Sequence, residues 1–121
     1  MVEYCKKQNI IVTAYSPLGS PERPWVSKTD PLLLSDQKII DIAKKYSRSP
    51  AQICIRYQIE RGNIVIPKAI EESHLKENIN VFDFELCDTD VKALDDLNKN
   101  FRYVNMKPAK CHKDYPFHED K

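Results

Sequence analysis

The chain has little of several features that mark particular protein classes. Its 121 residues include only two glycines, Gly19 and Gly62, and a single tryptophan, Trp25. So few glycines argue against a β-rich sandwich, because such folds need many tight turns. No apolar run approaches the length of a membrane span, and no signal-peptide pattern opens the chain. We therefore expect a packed protein without a membrane partner.

An excess of charge of one sign is also lacking. The 19 basic and 18 acidic residues give a formal net charge of +1. A protein that binds nucleic acid usually presents a broad basic field to the phosphate backbone. No such field is expected here, so a nucleic-acid partner is not predicted.

The four cysteines are scattered without a C-x-x-C pair, at Cys5, Cys54, Cys87 and Cys111. Without a secretory signal a disulfide framework is not expected, and the thiols fit a reducing, cytoplasmic setting. The three histidines add no spacing typical of metal ligands, so no metal site is predicted. The cysteines are interpreted as buried or surface thiols.

Two short apolar segments are predicted to be strands of a parallel sheet. Residues 10–15 and 63–67 are rich in β-branched side chains and are continuous rather than alternating, which suits strands covered on both faces. Each ends in polar, turn-forming residues: the first at residues 16–21, the second at Pro67-Lys68, before a helical pattern. A lysine at a helix N-terminus, as predicted for Lys68, is one way in which an α/β protein forms an anion-binding site. The two strand ends therefore suggest one shared ligand site.

Helices are predicted between and after the strands. The clearest start is Ser49, an N-cap followed by Pro50 at the first helical position and by Gln52, which completes a capping box. We expect Gly62 to end this helix and Ser35 to cap the one before it. The remaining segments are a helix end at residues 1–8, a Pro-rich loop at 16–31, helices at 71–78 and 88–98, and a tail at 101–121.

The order of these elements predicts an α/β fold with a parallel sheet. Two parallel strands alone leave two unpaired edges and an uncovered face, which is a poor independent design. We therefore expect residues 1–121 to be a partial domain, a piece of a larger α/β fold.

Several multi-residue motifs follow one another along essentially the whole chain. They are VTAYSPLGSP at 12–21, RPW at 23–25, SPAQ at 49–52, IPK at 66–68, ENI at 77–79, VFDFEL at 81–86 and HKDYPFHE at 112–119. In these residues the chain resembles the aldo-keto reductase family, most closely its aldose reductase and aldehyde reductase branch. The resemblance implies a TIM (β/α)8 barrel and the reduction of aldehydes and ketones to alcohols with NADPH. It also implies a monomer that acts on small carbonyl compounds.

A complete TIM barrel takes about 250 residues or more. The resemblance therefore implies that this chain is the carboxy-terminal part of such a barrel, incomplete at the N-terminus. It would hold about two strands with their helices, an accessory helix and the C-terminal loop. The family's catalytic Tyr, Asp, Lys and His belong to the first half of the barrel, and no residue here matches them. No catalytic residue is predicted, and the isolated chain is expected to be inactive or very weak.

The resemblance implies ten residues of an NADPH or NADP+ site: Tyr15, Ser16, Leu18, Ser20, Glu22, Lys68, Ala69, His74, Glu77 and Asn78. Tyr15 would stack on the nicotinamide, and the next three would contact the pyrophosphate. Lys68 would bind the 2′-phosphate and pair with Glu22, which lies in a loop over the cofactor. Glu77 and Asn78 would bind the adenine.

Two of these positions depart from the family pattern. Ala69 replaces a Ser or Thr that would give another phosphate hydrogen bond, and His74 stands where Arg is common. Arg grips phosphate with two parallel hydrogen bonds, whereas His is only partly charged near neutral pH. The preference for NADPH over NADH therefore stays open.

Three residues are expected from the resemblance to line the substrate pocket. Trp25 would form a wall of the pocket. Val104 and Met106 belong to the segment 103–111, which corresponds to the variable loop that shapes substrate choice in the family.

Other interpretations of the same residues stay open. The chain is alternatively a non-enzymatic module that binds nucleotide or associates with barrel fragments through open sheet edges, or an unstable remnant. Tyr15 also fits a core aromatic, Lys68 a solvated lysine at a strand end, and Trp25 a packing anchor in a loop.

Overall fold

The structure is a computed structural model that describes residues 1–118. Its elements are α1 (Val2–Lys7), β1 (Thr13–Tyr15), a 3-10 turn (Leu33–Ser35), α2 (Gln37–Tyr46), α3 (Pro50–Glu60), β2 (Ile64–Ile66), α4 (Glu72–Ile79), α5 (Asp88–Asp95) and a second 3-10 turn (Lys107–Ala109). The last three residues of the predicted domain, 119–121, lie outside the described residues. They include Glu119, the last residue of the predicted tail motif.

The two strands pair in parallel, as predicted. Thr13 lies opposite Ile64 and Tyr15 lies opposite Ile66. Helix α3 packs against β2, and the side chains of Ala14 and Val65 are half-buried. Along each strand, exposed residues alternate with half-buried ones.

The prediction that both strand faces are covered is wrong for the described part of the chain. Tyr15 is 57% exposed, Ile64 is 51% exposed and Ile66 is 55% exposed. Within residues 1–118 the helices cover only one face, so a continuous apolar run does not bury both sides here. The opposite face is an exposed apolar surface.

The core lies among the helices rather than on the sheet. The buried side chains that form it come from α2, α3, α5 and the segment before α5: Ile39, Ile42, Ala43, Ile53, Cys54, Leu86 and Leu94. Ile55 of α3 is also only 2% exposed.

Helix α3 begins as predicted. The Ser49 hydroxyl accepts from the Gln52 amide at 3.2 Å, and Gln52 Oε1 accepts from the Ser49 amide at 3.0 Å. Gly62 follows the end of the helix with a φ of +76°, a left-handed conformation that costs glycine little. Helix α2 begins differently, because the Asp36 carboxylate accepts from the Lys38 amide at 3.0 Å. Ser35 ends the preceding 3-10 turn, so the prediction that Ser35 is the cap was wrong by one residue.

Three global features concern membranes, thiols and metals. No helix in residues 1–118 is both long enough and apolar enough to cross a membrane. The four cysteines are free thiols. The same residues contain no group of three or more His, Cys, Asp or Glu side chains placed to hold a metal ion.

Candidate functional site

A buried arginine organises the loop after β1. Arg23 Nη1 donates to the carbonyls of Gly19 at 3.2 Å and Ser20 at 3.1 Å. Its Nη2 forms an ion pair with the carboxylate of Asp30, which also accepts from the Ser27 amide at 3.0 Å. The Ser27 hydrogen bond, together with Arg23, holds the pKa of Asp30 below its usual range. The long Pro-rich loop is thus closed on itself by its own side chains.

The start of this loop carries the residues predicted to contact the pyrophosphate. Its backbone turns sharply, because Ser16, Gly19 and Ser20 have φ values of 48°, 76° and 47°. The Gly19 amide donates to the Ser16 carbonyl at 3.0 Å, which closes a turn. Leu18 packs against the core cluster and is half-buried. The core therefore anchors the segment, and its backbone curves directly beyond β1.

Lys68 follows β2, and its side chain reaches back to this loop. Lys68 Nζ lies 3.4 Å from Glu22 Oε2, so the contact expected between the two residues is present. Their side chains are 72% and 81% exposed. An ion pair this exposed contributes little to stability, because water screens it.

Glu77 joins α4 to the start of α3. Its carboxylate accepts a hydrogen bond from the Ser49 hydroxyl. Its backbone carbonyl accepts from Gln52 Nε2 at 3.3 Å, and the same nitrogen donates to the Asn80 carbonyl at 2.8 Å. Glu77 thus has a structural contact in addition to the adenine contact that the resemblance implies.

The other three residues predicted near the phosphate and adenine lie in the same segment of the chain. Ala69 lies between β2 and α4 and is half-buried, as is Asn78 within α4. His74 is exposed on α4. The segment 68–78, which runs from the end of β2 into α4, thus carries all five predicted residues.

A cavity of about 490 Å³ lies beside the end of β1. Tyr15 and Ser16 line one part of it, and residues 100–104 line another. It brings Tyr15, predicted to contact the nicotinamide, together with Val104, predicted to contact the substrate. Met106 is 59% exposed and is not among the lining residues.

Trp25 connects the loop to the tail. Its Nε1 donates to the backbone carbonyl of Tyr103 at 3.0 Å, although the side chain is 57% exposed. Trp25 therefore has a packing contact beside the pocket wall that the resemblance implies.

Sequence reasoning missed the roles of Arg23 and Tyr103. The Tyr103 ring centroid lies 5.0 Å from Arg23 Cζ, and its hydroxyl donates to the Pro31 carbonyl at 3.0 Å. Burial raises the pKa of Tyr103. The RPW motif marked Arg23, but no local pattern marked a partner so distant in sequence.

A larger cavity, of about 920 Å³, lies along the loop before α2, α3 and α5 and shares Phe101 and Tyr103 with the first. Among its lining residues, Arg61 Nη1 lies 3.3 Å from Asp95 Oδ1, and the Tyr57 hydroxyl donates to that oxygen at 2.5 Å. None of the ten predicted cofactor residues lines this cavity. The geometry at the strand ends, rather than cavity size, defines the candidate site.

Comparison with known proteins adds a direct observation. The model of the family described as "Aldo/keto reductase family" matches residues 1–99 of the chain. The chain belongs to the aldo-keto reductase family. The family prediction made from the motifs is thereby confirmed. Aldo-keto reductases fold as TIM barrels, and the parallel strand pair with helices on one side is consistent with part of such a barrel.

Named relatives give the extent of the similarity. The chain is 47% identical over 121 residues to aldo-keto reductase family 1 member C15 of Rattus norvegicus, covering 99% of this chain and 37% of that protein. It is 48% identical over 104 residues to aldo-keto reductase family 1 member A1-A of Danio rerio, covering 86% and 32%. It is 46% identical over 121 residues to prostaglandin-E(2) 9-reductase of Oryctolagus cuniculus, covering 99% and 38%. The chain thus spans about a third of the length of these aldo-keto reductases.

Proposed function

We propose that the chain is the carboxy-terminal part of an NADPH-dependent aldo-keto reductase that reduces aldehydes or ketones to alcohols. The observation that carries the proposal is the meeting of the two strand ends. Tyr15 pairs in register with Ile66, two residues before Lys68, and Lys68 contacts Glu22 of the loop after β1. Family membership and this convergence support one cofactor site.

The side chains present fit a phosphorylated dinucleotide. Lys68 offers an exposed cation for the 2′-phosphate, with Glu22 as its partner in the structure. Ser16 and Ser20 offer hydroxyls at the turns of the loop, and the exposed ring of Tyr15 offers an aromatic face. NADPH, when bound, supplies a hydride for carbonyl reduction.

The adenine end is proposed to bind along α4. Glu77 and Asn78 would contact the adenine, although the Glu77 carboxylate is shared with Ser49. Ala69 has no hydroxyl, and His74 replaces the two-pronged contact of Arg with a ring that is partly charged near pH 7. The affinity for the 2′-phosphate would therefore rest mainly on Lys68.

The chain is proposed to contribute to the substrate pocket but not to the catalytic group. Trp25, Val104 and Met106 would contribute to the pocket for a small carbonyl compound. Carbonyl reduction needs an acid to protonate the developing alkoxide. The four catalytic residues of the family are unmatched in this sequence, so the chain by itself would bind cofactor without turning over substrate. A cytoplasmic setting and a monomeric complete protein, without nucleic-acid or membrane partners, belong to the same proposal.

Titration with nucleotides tests the cofactor site. Trp25 is the single tryptophan, so its fluorescence reports on the loop. We expect saturable quenching by NADPH and markedly weaker binding of NADH. Lys68→Met should remove the difference between the two nucleotides, whereas Lys28→Met, at an exposed position in the same loop, should preserve it. Equal affinities of the parent chain for NADPH and NADH would contradict the role of Lys68.

The exposed sheet face favours a second candidate function, association with the other strands of a family barrel. Tyr15, Ile64 and Ile66 are more than half exposed, and burying such side chains favours association. Mixing the chain with residues of the rat relative that precede the matched region tests this. Co-sedimentation that Ile64→Lys abolishes is the expected result, and no complex at any concentration would exclude the candidate.

A further inference from the structure

The loop with predicted cofactor residues and the segment with predicted substrate residues meet at Tyr103. A Cβ built on Gly19 would lie 3.3 Å from Tyr103 Cζ, so the ring packs on the loop backbone. The Tyr103 hydroxyl donates to the Pro31 carbonyl, and the Tyr103 carbonyl accepts from Trp25 Nε1, each at 3.0 Å. Three separate points of the loop thus hold this one residue.

Arg23 lies at the centre of these contacts. Its side chain is only 3% exposed, and its guanidinium is held by the carbonyls of Gly19 and Ser20 and by the Asp30 carboxylate. A guanidinium held by several acceptors has a fixed plane, because its donors form a rigid fork. Arg23 Cζ lies 5.0 Å from the centroid of the Tyr103 ring, within the range of a cation–π contact.

The residue after Tyr103 lines the cavity beside β1. Val104 shares this cavity with Tyr15 and Ser16. We infer that Arg23 is a positioning residue. It orients Tyr103, and Tyr103 sets how far Val104 and its neighbours lie from the cofactor end of β1.

The inference rests on the proposed function for the identity of the ligands, but the contact itself does not depend on any ligand. It has a consequence for binding. A ligand that orders residues 16–22 also orders residues 101–106, because Arg23 holds the carbonyls of the first segment and the ring of the second.

Backbone 15N NMR relaxation of the 121-residue chain, with and without NADPH, tests this, because order parameters report the mobility of an amide whether or not it donates a hydrogen bond. In Arg23→Gln we expect the order parameters of residues 101–106 to fall toward about 0.6, the value of flexible backbone, after the loss of the contact with the Tyr103 ring. Residues of α2 and α3 should keep the order parameters of the parent. NADPH should raise the order parameters of residues 16–22 in both proteins, but those of residues 101–106 only in the parent.

Lys28→Gln is the matched control, since it removes a cation from an exposed position of the same loop. It should leave residues 101–106 unchanged. Tyr103→Leu is a second variant, which removes the ring from Arg23 and the hydrogen bond to Pro31. Tyr103→Phe keeps the ring and should give a smaller fall in the order parameters of residues 101–106.

The outcomes separate the positioning role of Arg23 from the proposed cofactor site. Unchanged order parameters of residues 101–106 in both Arg23→Gln and Tyr103→Leu would overturn the inference. An equal fall in α2, α3 and residues 101–106 in Tyr103→Leu would also overturn it, because the role would be one of overall stability. If Arg23→Gln fails to fold, Tyr103→Leu decides. A selective fall in the variants, together with a parent chain that does not bind NADPH, would keep the inference and exclude the proposed cofactor.

Discussion

The hydroxyl of Ser49 donates a hydrogen bond to the carboxylate of Glu77 while it accepts one from the amide of Gln52. One side chain therefore caps α3 and holds the last turns of α4. The contact with Glu77 connects a residue of the proposed adenine site to the start of α3.

Ser49→Ala should destabilise the chain by about 1–3 kcal/mol, because it removes a helix cap and one partner of the Glu77 carboxylate. Urea unfolding followed by circular dichroism measures the free energy of unfolding. Ser49→Thr keeps the hydroxyl and should lose much less. Equal stability of Ser49→Ala and the parent would show that neither contact matters.

Gly19→Ala should cost more than Gly62→Ala. Both glycines have a φ of +76°, so both alanine variants carry a similar backbone penalty of about 1 kcal/mol. At Gly62 the added methyl would be 3.8 Å from a flexible lysine carbon, but at Gly19 it would meet Leu33 and Tyr103 at 3.3 Å. The difference between the two unfolding free energies measures the close contacts with Leu33 and Tyr103, and a difference of zero would contradict them.

Asp90 should make the chain sensitive to acid. Its carboxylate accepts from Lys45 Nζ and the Tyr46 hydroxyl, each at 2.7 Å, and from Cys87 Sγ at 3.0 Å. The hydrogen bond from Lys45, followed by those from Cys87 and Tyr46, lowers the pKa of Asp90 from 3.8 to about 2. A carboxyl group whose pKa falls on folding stabilises the protein at pH values above the pKa of that group in the unfolded chain. This contribution is therefore present above about pH 4 and is lost as the pH falls toward 2.

Comparison of the parent with Asp90→Asn isolates that contribution, since other carboxylates titrate equally in both. We expect the variant to be less stable at pH 6 by about 1–3 kcal/mol, the cost of hydrogen bonds to a charged group. The gap in unfolding free energy should shrink between pH 4 and pH 2. A gap that stays constant over this window would contradict the assignment.

The cysteines should differ in their reactivity toward iodoacetamide. Cys87 is exposed, and hydrogen bonds with Thr89 and Tyr46 lower its pKa. Burial raises the pKa of Cys54 to about 12. Because the thiolate is the nucleophile, Cys87 should be alkylated first near pH 7.5 and Cys54 only after unfolding. Peptide mass spectrometry gives the order, and native labelling of Cys54 at the rate of Cys87 would contradict this.

The start of α3 shows what local sequence can predict. The capping box at Ser49 and Gln52 depends on hydrogen bonds within four residues, so residue types alone are sufficient. The cap of α2 shows the limit of such reasoning, since Ser35 and Asp36 are both good caps. The choice between them depended on where the preceding 3-10 turn ended.

The candidate site was likewise predictable from the sequence only in part. The motifs identified Lys68 and Glu22, and the structure places their charged atoms 3.4 Å apart. The link between Trp25 and Tyr103 could not be predicted, because it joins residues 78 positions apart and leaves no periodic trace. The same holds for the ring of Tyr103 on Gly19.

The sequence by itself determined the start of α3, the two parallel apolar strands and the family, since each depends on residue types in local patterns or ordered motifs. Only the tertiary structure decided that Arg23 contacts both Asp30 and Tyr103 and that one face of the sheet is exposed. The physical reason is that burial and long-range hydrogen bonds depend on which segments pack together. Composition and periodicity do not specify that packing.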